Sequence, residues 1–116
     1  MSVEQLYSLG QVTKALEVSP RQVQWLREKE VVVPHIVSPT GGRCLYAHED
    51  VVMLFVALTV LAGCSMEIKR GACAELRDVS EEAAVLAAPW VHVRVDMAGV
   101  REQVRLLLHV YEGSLK

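Results

Sequence analysis

Two serine-led tetrapeptides constrain the N-terminal third of this chain: Ser8-Leu9-Gly10-Gln11 and Ser19-Pro20-Arg21-Gln22 both have the S-x-x-Q form. In that form the serine hydroxyl accepts a bond from an orphan N–H of the first helical turn, and the glutamine reaches back to the serine's own N–H. Each tetrapeptide is therefore a helix start. Pro20 stands at the first helical position, where its missing N–H costs nothing. Apolar residues then recur at helical spacing, with Leu9, Val12 and Leu16 facing inward in the first helix and Val23 and Leu26 in the second. Only Glu17 to Ser19 separate them. Two short capped helices joined that tightly predict a helix-turn-helix.

The chain that follows predicts a small β hairpin, or wing. Val31-Val32-Val33-Pro34 is a β-branched run, and Arg43-Cys44-Leu45-Tyr46 is a second extended piece beyond the turn Ser38-Pro39-Thr40-Gly41-Gly42. Glu49 and Asp50 open a helix at its favourable acidic end, running from Asp50 to about Ala62 and ended by Gly63. That helix is apolar almost all the way round and must be buried on more than one side. Ser65 caps a further helix through about Leu76. Ser80 to Ala88 reads as a short helix or a loop stopped by Pro89, with one continuous helix from Ser80 onward as the competing picture. Trp90 to Asp96 alternates apolar and polar and predicts a half-exposed strand. Asp96 then caps a last helix to about Tyr111, on which Val100, Val104, Leu107, Leu108 and Tyr111 form one stripe. A helix of that length is short for an autonomous coiled coil. The stripe is expected to pair two chains while packing on the partner's Asp50 to Ala62 helix.

Composition narrows the function. An apolar half, 52% of the residues, can bury enough surface to offset chain entropy, so disorder is excluded. The formal net charge of −2 removes bulk attraction to phosphate as a mode of nucleic-acid binding. Residues 1–77 carry 8 basic and 8 acidic side chains, so any DNA contact must come from placed charges. Cys44, Cys64 and Cys73 form no C-x-x-C pair, which argues against a disulfide framework or a thiolate zinc site and for structural thiols in a reducing compartment. His35, His48, His92 and His109 are scattered without a metal-binding i, i+4 pair. There is no nucleophile triad, no carboxylate pair and no glycine-rich phosphate loop, so no enzyme activity, cofactor or metal is expected. The N-terminus lacks the basic start and apolar core of a signal peptide, and the uncharged run from Val51 to Cys64 is too short to span a bilayer. A cytoplasmic protein without membrane contact is expected.

The residues Tyr7-Ser8-Leu9-Gly10-Gln11-Val12, Val18-Ser19-Pro20-Arg21-Gln22-Val23-Gln24-Trp25 and Gly42-Arg43-Cys44-Leu45-Tyr46 with Glu49-Asp50-Val51 resemble the DNA-binding domain of the MerR family of transcriptional regulators. The resemblance covers roughly residues 6–76. It implies a mainly α fold, a winged helix-turn-helix with a small β hairpin at 1–77, followed by a strand and dimerisation helix at 78–116. It also implies a homodimer on double-stranded DNA at a pseudo-palindromic promoter site, with RNA polymerase a further partner. Residues 78–116 leave no room for a separate effector domain. A ligand would have to sit at the dimer interface, and none is expected.

Arg21, at the start of the second helix, and Arg43, on the wing, are the expected phosphate contacts. Gln22 and Gln24 are candidate base readers, since glutamine pairs bidentately with adenine, although Gln22 has a competing capping role. Trp25 stands for a family tyrosine and divides between backbone contact and partial core packing. Tyr46 reads as half core and half phosphate contact. The sequence departs from the family where Glu17 and Glu30 replace glycines, which implies locally altered turns, and where Gln24 and Cys44 replace arginines. Those departures keep open a MerR-like protein-interaction module that modulates a chaperone or regulator without binding DNA. A phage-type excision or architectural DNA-bending factor is the third reading.

Overall fold

Both capping boxes form. Ser8 Oγ accepts from Gln11 N–H at 3.2 Å while Ser8 N–H donates to Gln11 Oε1 at 2.8 Å, and Ser19 with Gln22 repeats the exchange at 3.2 and 3.0 Å. They start α1 (Leu9–Leu16) and α2 (Pro20–Glu28) of the helix-turn-helix. The computed structural model describes residues 6–37, 44–88 and 91–114, with the side chains of 36–37, 85–88 and 111–114 set aside. The expected turn Ser38 to Gly42 and Arg43 after it lie outside the described residues, as do Pro89 and Trp90.

The wing is built differently from the sequence expectation. Its strands are β2 (Ile36–Val37) and β3 (Cys44–Ala47), and a further strand β1 (Leu6–Ser8) makes a three-stranded antiparallel sheet in the order β1-β3-β2. Tyr7 pairs with Tyr46 and Ile36 with Leu45. Val31 to Val33 are no strand, because the backbone there closes α2: Val31 and Val32 N–H both reach the Leu26 carbonyl, at 2.9 and 3.5 Å. Their β-branched side chains serve the core instead, Val31 and Val32 being buried.

Helix α3 (His48–Phe55) is capped from its first turn by Asp50, whose carboxylate accepts from Ala47 N–H at 3.0 Å. It continues as a π-helical turn, Val56–Val60, before the turn containing Gly63. Ser65 caps α4 (Met66–Leu76), its hydroxyl accepting from Ile68 N–H at 3.2 Å. The next segment is neither helix nor loop. Glu82–Ala88 is strand β4, hairpinned with β5 (Val91–Asp96) in an antiparallel ladder from Glu82↔Asp96 to Ala88↔Val91. The alanine-rich β4 has little strand propensity of its own and takes strand form through the β-branched partner beside it. Helix α5 (Met97–Ser114) follows, with Asp96 Oδ1 accepting from Gly99 N–H at 3.1 Å.

Helix α5 folds back onto α1 and α3 of its own chain. One continuous core joins Val12, Val23, Leu26, Met53 and Leu54 with Val95, Met97, Val104 and Leu108. The segment 78–116 therefore completes the core of 1–77. This corrects the reading of α3, whose all-round apolarity is satisfied within one chain. Of the α5 stripe, Val104 and Leu108 are buried within the chain itself and Val100 and Leu107 partly so, while the side chain of Tyr111 lies outside the described residues. Among the described side chains of α5, the large apolar residues left exposed are Leu106 at 43% and Val110 at 68%.

Arg101 fastens α5 in place. Its guanidinium makes a forked contact to Glu49, at 2.8 and 3.3 Å, and also donates to the Val79 and Arg77 carbonyls. The Glu49 carboxylate raises the Arg101 pKa above its ordinary value, against a smaller opposing effect of burial. Beside it Arg77 pairs with the buried Asp50 at 3.0 Å. The N-terminus of α3 is thus tied to both α4 and α5.

Candidate nucleic-acid interface

The chemistry of α2 follows from what its core face leaves outside. Val23 and Leu26 are fully buried, which turns Arg21, Gln22, Gln24 and Trp25 to the surface. At 100° per residue the outward ridge runs through Arg21 and Glu28, seven residues apart, with Gln24 and Trp25 on either side. Trp25 is 51% exposed, so about half of its surface faces solvent while the rest lies beside Leu26, Leu58 and Met66. Gln22 keeps its capping role, its amide oxygen committed to Ser19. Only its amide N–H groups remain for a ligand, which removes the bidentate pairing with adenine in this arrangement. Gln24 carries no such commitment.

Tyr46 is corrected. It is 1% exposed, because it sits on the central strand of the three-stranded sheet with its ring in the core opposite Tyr7. Burial pushes its phenol up to about 12, and it has no surface to give a phosphate. Arg43 lies outside the described residues. Arg21 and Gln24 are thus brought together with Trp25 on one face.

Both predicted turn changes are also corrected. Glu17 and Glu30 take the left-handed backbone that glycine would, each with φ 57°. After α1, Val18 N–H closes on the Thr13 carbonyl at 3.0 Å. After α2, Val31 N–H closes on Leu26 at 2.9 Å and Glu30 N–H on Arg27 at 3.0 Å. These are Schellman closures, which require the left-handed residue. The turns keep the geometry a glycine would give, at a conformational cost to each glutamate.

Two side chains near this face escape sequence reasoning. Glu28 is exposed on the same ridge as Arg21, a signal available from the seven-residue spacing alone. Lys69 of α4 is only 7% exposed and lines a small cavity of about 120 Å³ with Gln22, Trp25, Leu58 and Met66. No local pattern marks Lys69, since its neighbourhood is made by α2 and the π-helical turn. The cysteines divide as Cys73 buried and Cys44 and Cys64 half-buried, with burial pushing the Cys73 thiol up to about 11. Among the described residues no three His, Cys, Asp or Glu side chains group as a metal site, and no helix is long and apolar enough to cross a membrane.

Residues 7–59 match the family model of the MerR HTH family regulatory proteins. The match begins in β1 and ends within the π-helical turn, so it contains the helix-turn-helix, the wing strands and α3, and leaves α4, the β4–β5 hairpin and α5 outside it. No curated protein matches the chain.

Proposed function

We propose that the protein, whose residues 7–59 match the family model of the MerR HTH family regulatory proteins, is a transcriptional regulator that binds double-stranded DNA as a homodimer at a pseudo-palindromic promoter site. One observation carries the reading. Helix α2 buries Val23 and Leu26 and offers Arg21, Gln24 and Trp25 on a single exposed face, on a helix whose capped N-terminus favours phosphate. In the bound state α2 enters the major groove, Arg21 grips a phosphate and Gln24 reads a base edge. Arg43 on the wing takes a flanking phosphate. Two copies of α2 meet half-sites about 34 Å apart. Pairing through the outward face of α5, with Leu106 and Val110, supplies the second copy. The protein acts in the cytoplasm, with RNA polymerase engaged at the same promoter, as a regulator and not as an enzyme.

The test is fluorescence anisotropy with DNA from upstream of the protein's own gene, repeated over a salt series. Saturable binding that weakens as salt rises is expected. Arg21→Ala and Arg43→Ala should each weaken it across sequences and lower the salt slope by about 1 for each arginine removed. Absence of binding at low salt, or indifference to both substitutions, rejects the proposal.

A second reading is a protein-interaction module. The half-exposed Trp25 beside the Leu58 and Met66 cavity is the observation that favours it, because tryptophan anchors many protein interfaces. In that case Trp25→Ala leaves DNA affinity at background and abolishes capture of the protein partner.

A further inference from the structure

A cavity of about 450 Å³ opens between the end of α2 and α4. Its size falls in the range of pockets that hold small organic ligands. One wall is a single face of α4, formed by Arg70, Cys73, Ala74 and Arg77 at positions i, i+3, i+4 and i+7. The opposite wall is the chain between Glu30 and His35 that leaves α2 for the wing, with Val33 exposed upon it. An arginine at each end of a helical face with two small residues between them leaves room for a body held by charge at its end.

Both guanidiniums are oriented without being saturated. Arg70 Nε donates to the Lys29 carbonyl at 3.0 Å, and Arg77 Nη1 donates to Asp50 Oδ1 at 3.0 Å. A guanidinium carries five N–H donors, so each keeps several for a ligand. The charges differ in compensation. Arg77 has the Asp50 carboxylate, whereas Arg70 is bonded to a neutral carbonyl, and the other acidic lining residue, Glu30, is exposed to solvent. The remaining lining is Val31, Val33, Pro34, His35, Ala74 and the neutral Cys73 thiol, none of them acidic. An anion is therefore favoured at the Arg70 end and an apolar group along Val33.

The geometry points to this cavity as a binding site for a small carboxylate with an apolar body, its carboxylate forked on Arg70 and its body laid between Val33 and Cys73. The site lies within one chain and away from the outward face of α5. Its occupant touches both the left-handed turn at Glu30 that ends the recognition helix and the segment leading to the wing. Through that position it bears on how α2 and the wing are held together. This consequence, unlike the binding itself, rests on the DNA-binding reading.

The test uses the full chain, labelled with nitrogen-15 and titrated with benzoate as the probe. Benzamide supplies the body without charge, and inorganic phosphate supplies charge without the body. Benzoate should give saturable amide shifts confined to residues 30–35 and 70–77, with both controls weaker. Arg70→Gln keeps a donor for the Lys29 carbonyl and removes the charge, so it should weaken benzoate at least about tenfold while leaving thermal melting unchanged. Absence of saturable shifts, shifts elsewhere, equal binding of benzamide or phosphate, or full affinity in Arg70→Gln overturns the site. A DNA duplex that displaces benzoate by occupying the same residues assigns the cavity to a phosphate of DNA and overturns it too. The DNA consequence is read separately. Benzoate should alter DNA affinity by the factor by which DNA alters benzoate affinity, and a factor of one leaves a binding site that does not regulate.

Discussion

Replacing Glu17 and Glu30 by glycine should make this protein more stable, and the amount follows from the backbone. Both residues hold φ at 57°. That conformation costs a residue with a Cβ about 1–2 kcal/mol. Glycine removes the cost but raises the entropy of the unfolded chain, which takes back about 0.5–1 kcal/mol. The net gain is about 0.5–1 kcal/mol for each site. The two turns flank the nine residues of α2, and a helix of that length separates them by about 14 Å. Contributions at that distance add, so the double variant gains about 1–2 kcal/mol. Unfolding entropy of about 2.1 cal/mol/K per residue, over 116 residues, turns this into about 4–8 °C in Tm.

Thermal and urea melts of both single variants and the double, at one protomer concentration, measure the gain. Glu17→Ala and Glu30→Ala are the controls, because alanine removes the same carboxylate while keeping the Cβ. Strain predicts no gain from alanine. If alanine stabilises as much as glycine, the effect is one of charge and not of backbone strain. If glycine leaves Tm unchanged or lowers it, the left-handed turns cost no more than the entropy glycine adds to the unfolded chain, and the predicted strain of about 1–2 kcal/mol is refuted.

Three further outcomes follow from the packing. Arg101→Ala breaks the forked bond to Glu49 and two bonds to carbonyls, and urea denaturation should show a decrease of about 1–3 kcal/mol, with non-additivity against Glu49→Gln. Stability should fall as pH rises from about 10 toward about 12, since the Tyr46 phenol ionises near 12 when folded and near 10 when unfolded; the decrease reaches about 2–3 kcal/mol, and Tyr46→Phe should remove it, leaving the comparable alkaline contribution of Cys73, whose thiol is raised by burial from 9.0 to about 11. Leu108→Ala opens the core and should cost about 2–5 kcal/mol, whereas Leu106→Ala should change stability by less than about 0.5 kcal/mol and weaken self-association in sedimentation equilibrium.

The elements that can be read from sequence are those whose causes are local. Ser8, Ser19, Ser65 and Asp96 each mark a helix start through a side chain that bonds the backbone three residues on, and all four starts form. Strands depend on distant partners, which is why local pattern gives no sign of β1 and points to helix or loop at Glu82–Ala88. Leu6–Ser8 becomes a strand only because β3 runs beside it, and the alanines of β4 only because Val91–Asp96 does. Helical periodicity likewise finds the apolar face of α5 but cannot say that α1 and α3 of the same chain will cover it. At the candidate site, Arg21, Gln24 and Trp25 are legible because the core positions of α2 determine what remains outside. Lys69 and the burial of Tyr46 are not, since both are consequences of how α4 and the sheet pack.

If α2 faces DNA as proposed, the least expected member of its exposed face, Glu28, decides how the helix approaches a duplex. Arg21 begins the outward ridge and Glu28 ends it, so along its length the helix changes from attracting phosphate to repelling it. An approach that laid the whole ridge along one strand of the backbone would set Glu28 against a phosphate. An approach with the N-terminal half of α2 at the backbone and its C-terminal half over base edges removes that conflict, and glutamate can there accept from a cytosine amino group. The two approaches differ in what Glu28→Gln does. In the first, the substitution strengthens binding to every sequence by relieving repulsion and steepens the salt dependence. In the second, it strengthens non-specific binding but lowers the preference for the cognate site, by about 1–3 kcal/mol where glutamate no longer accepts from cytosine. Competition of cognate and scrambled duplexes in the anisotropy assay separates them. An unchanged affinity for both duplexes would mean that α2 does not face DNA at all.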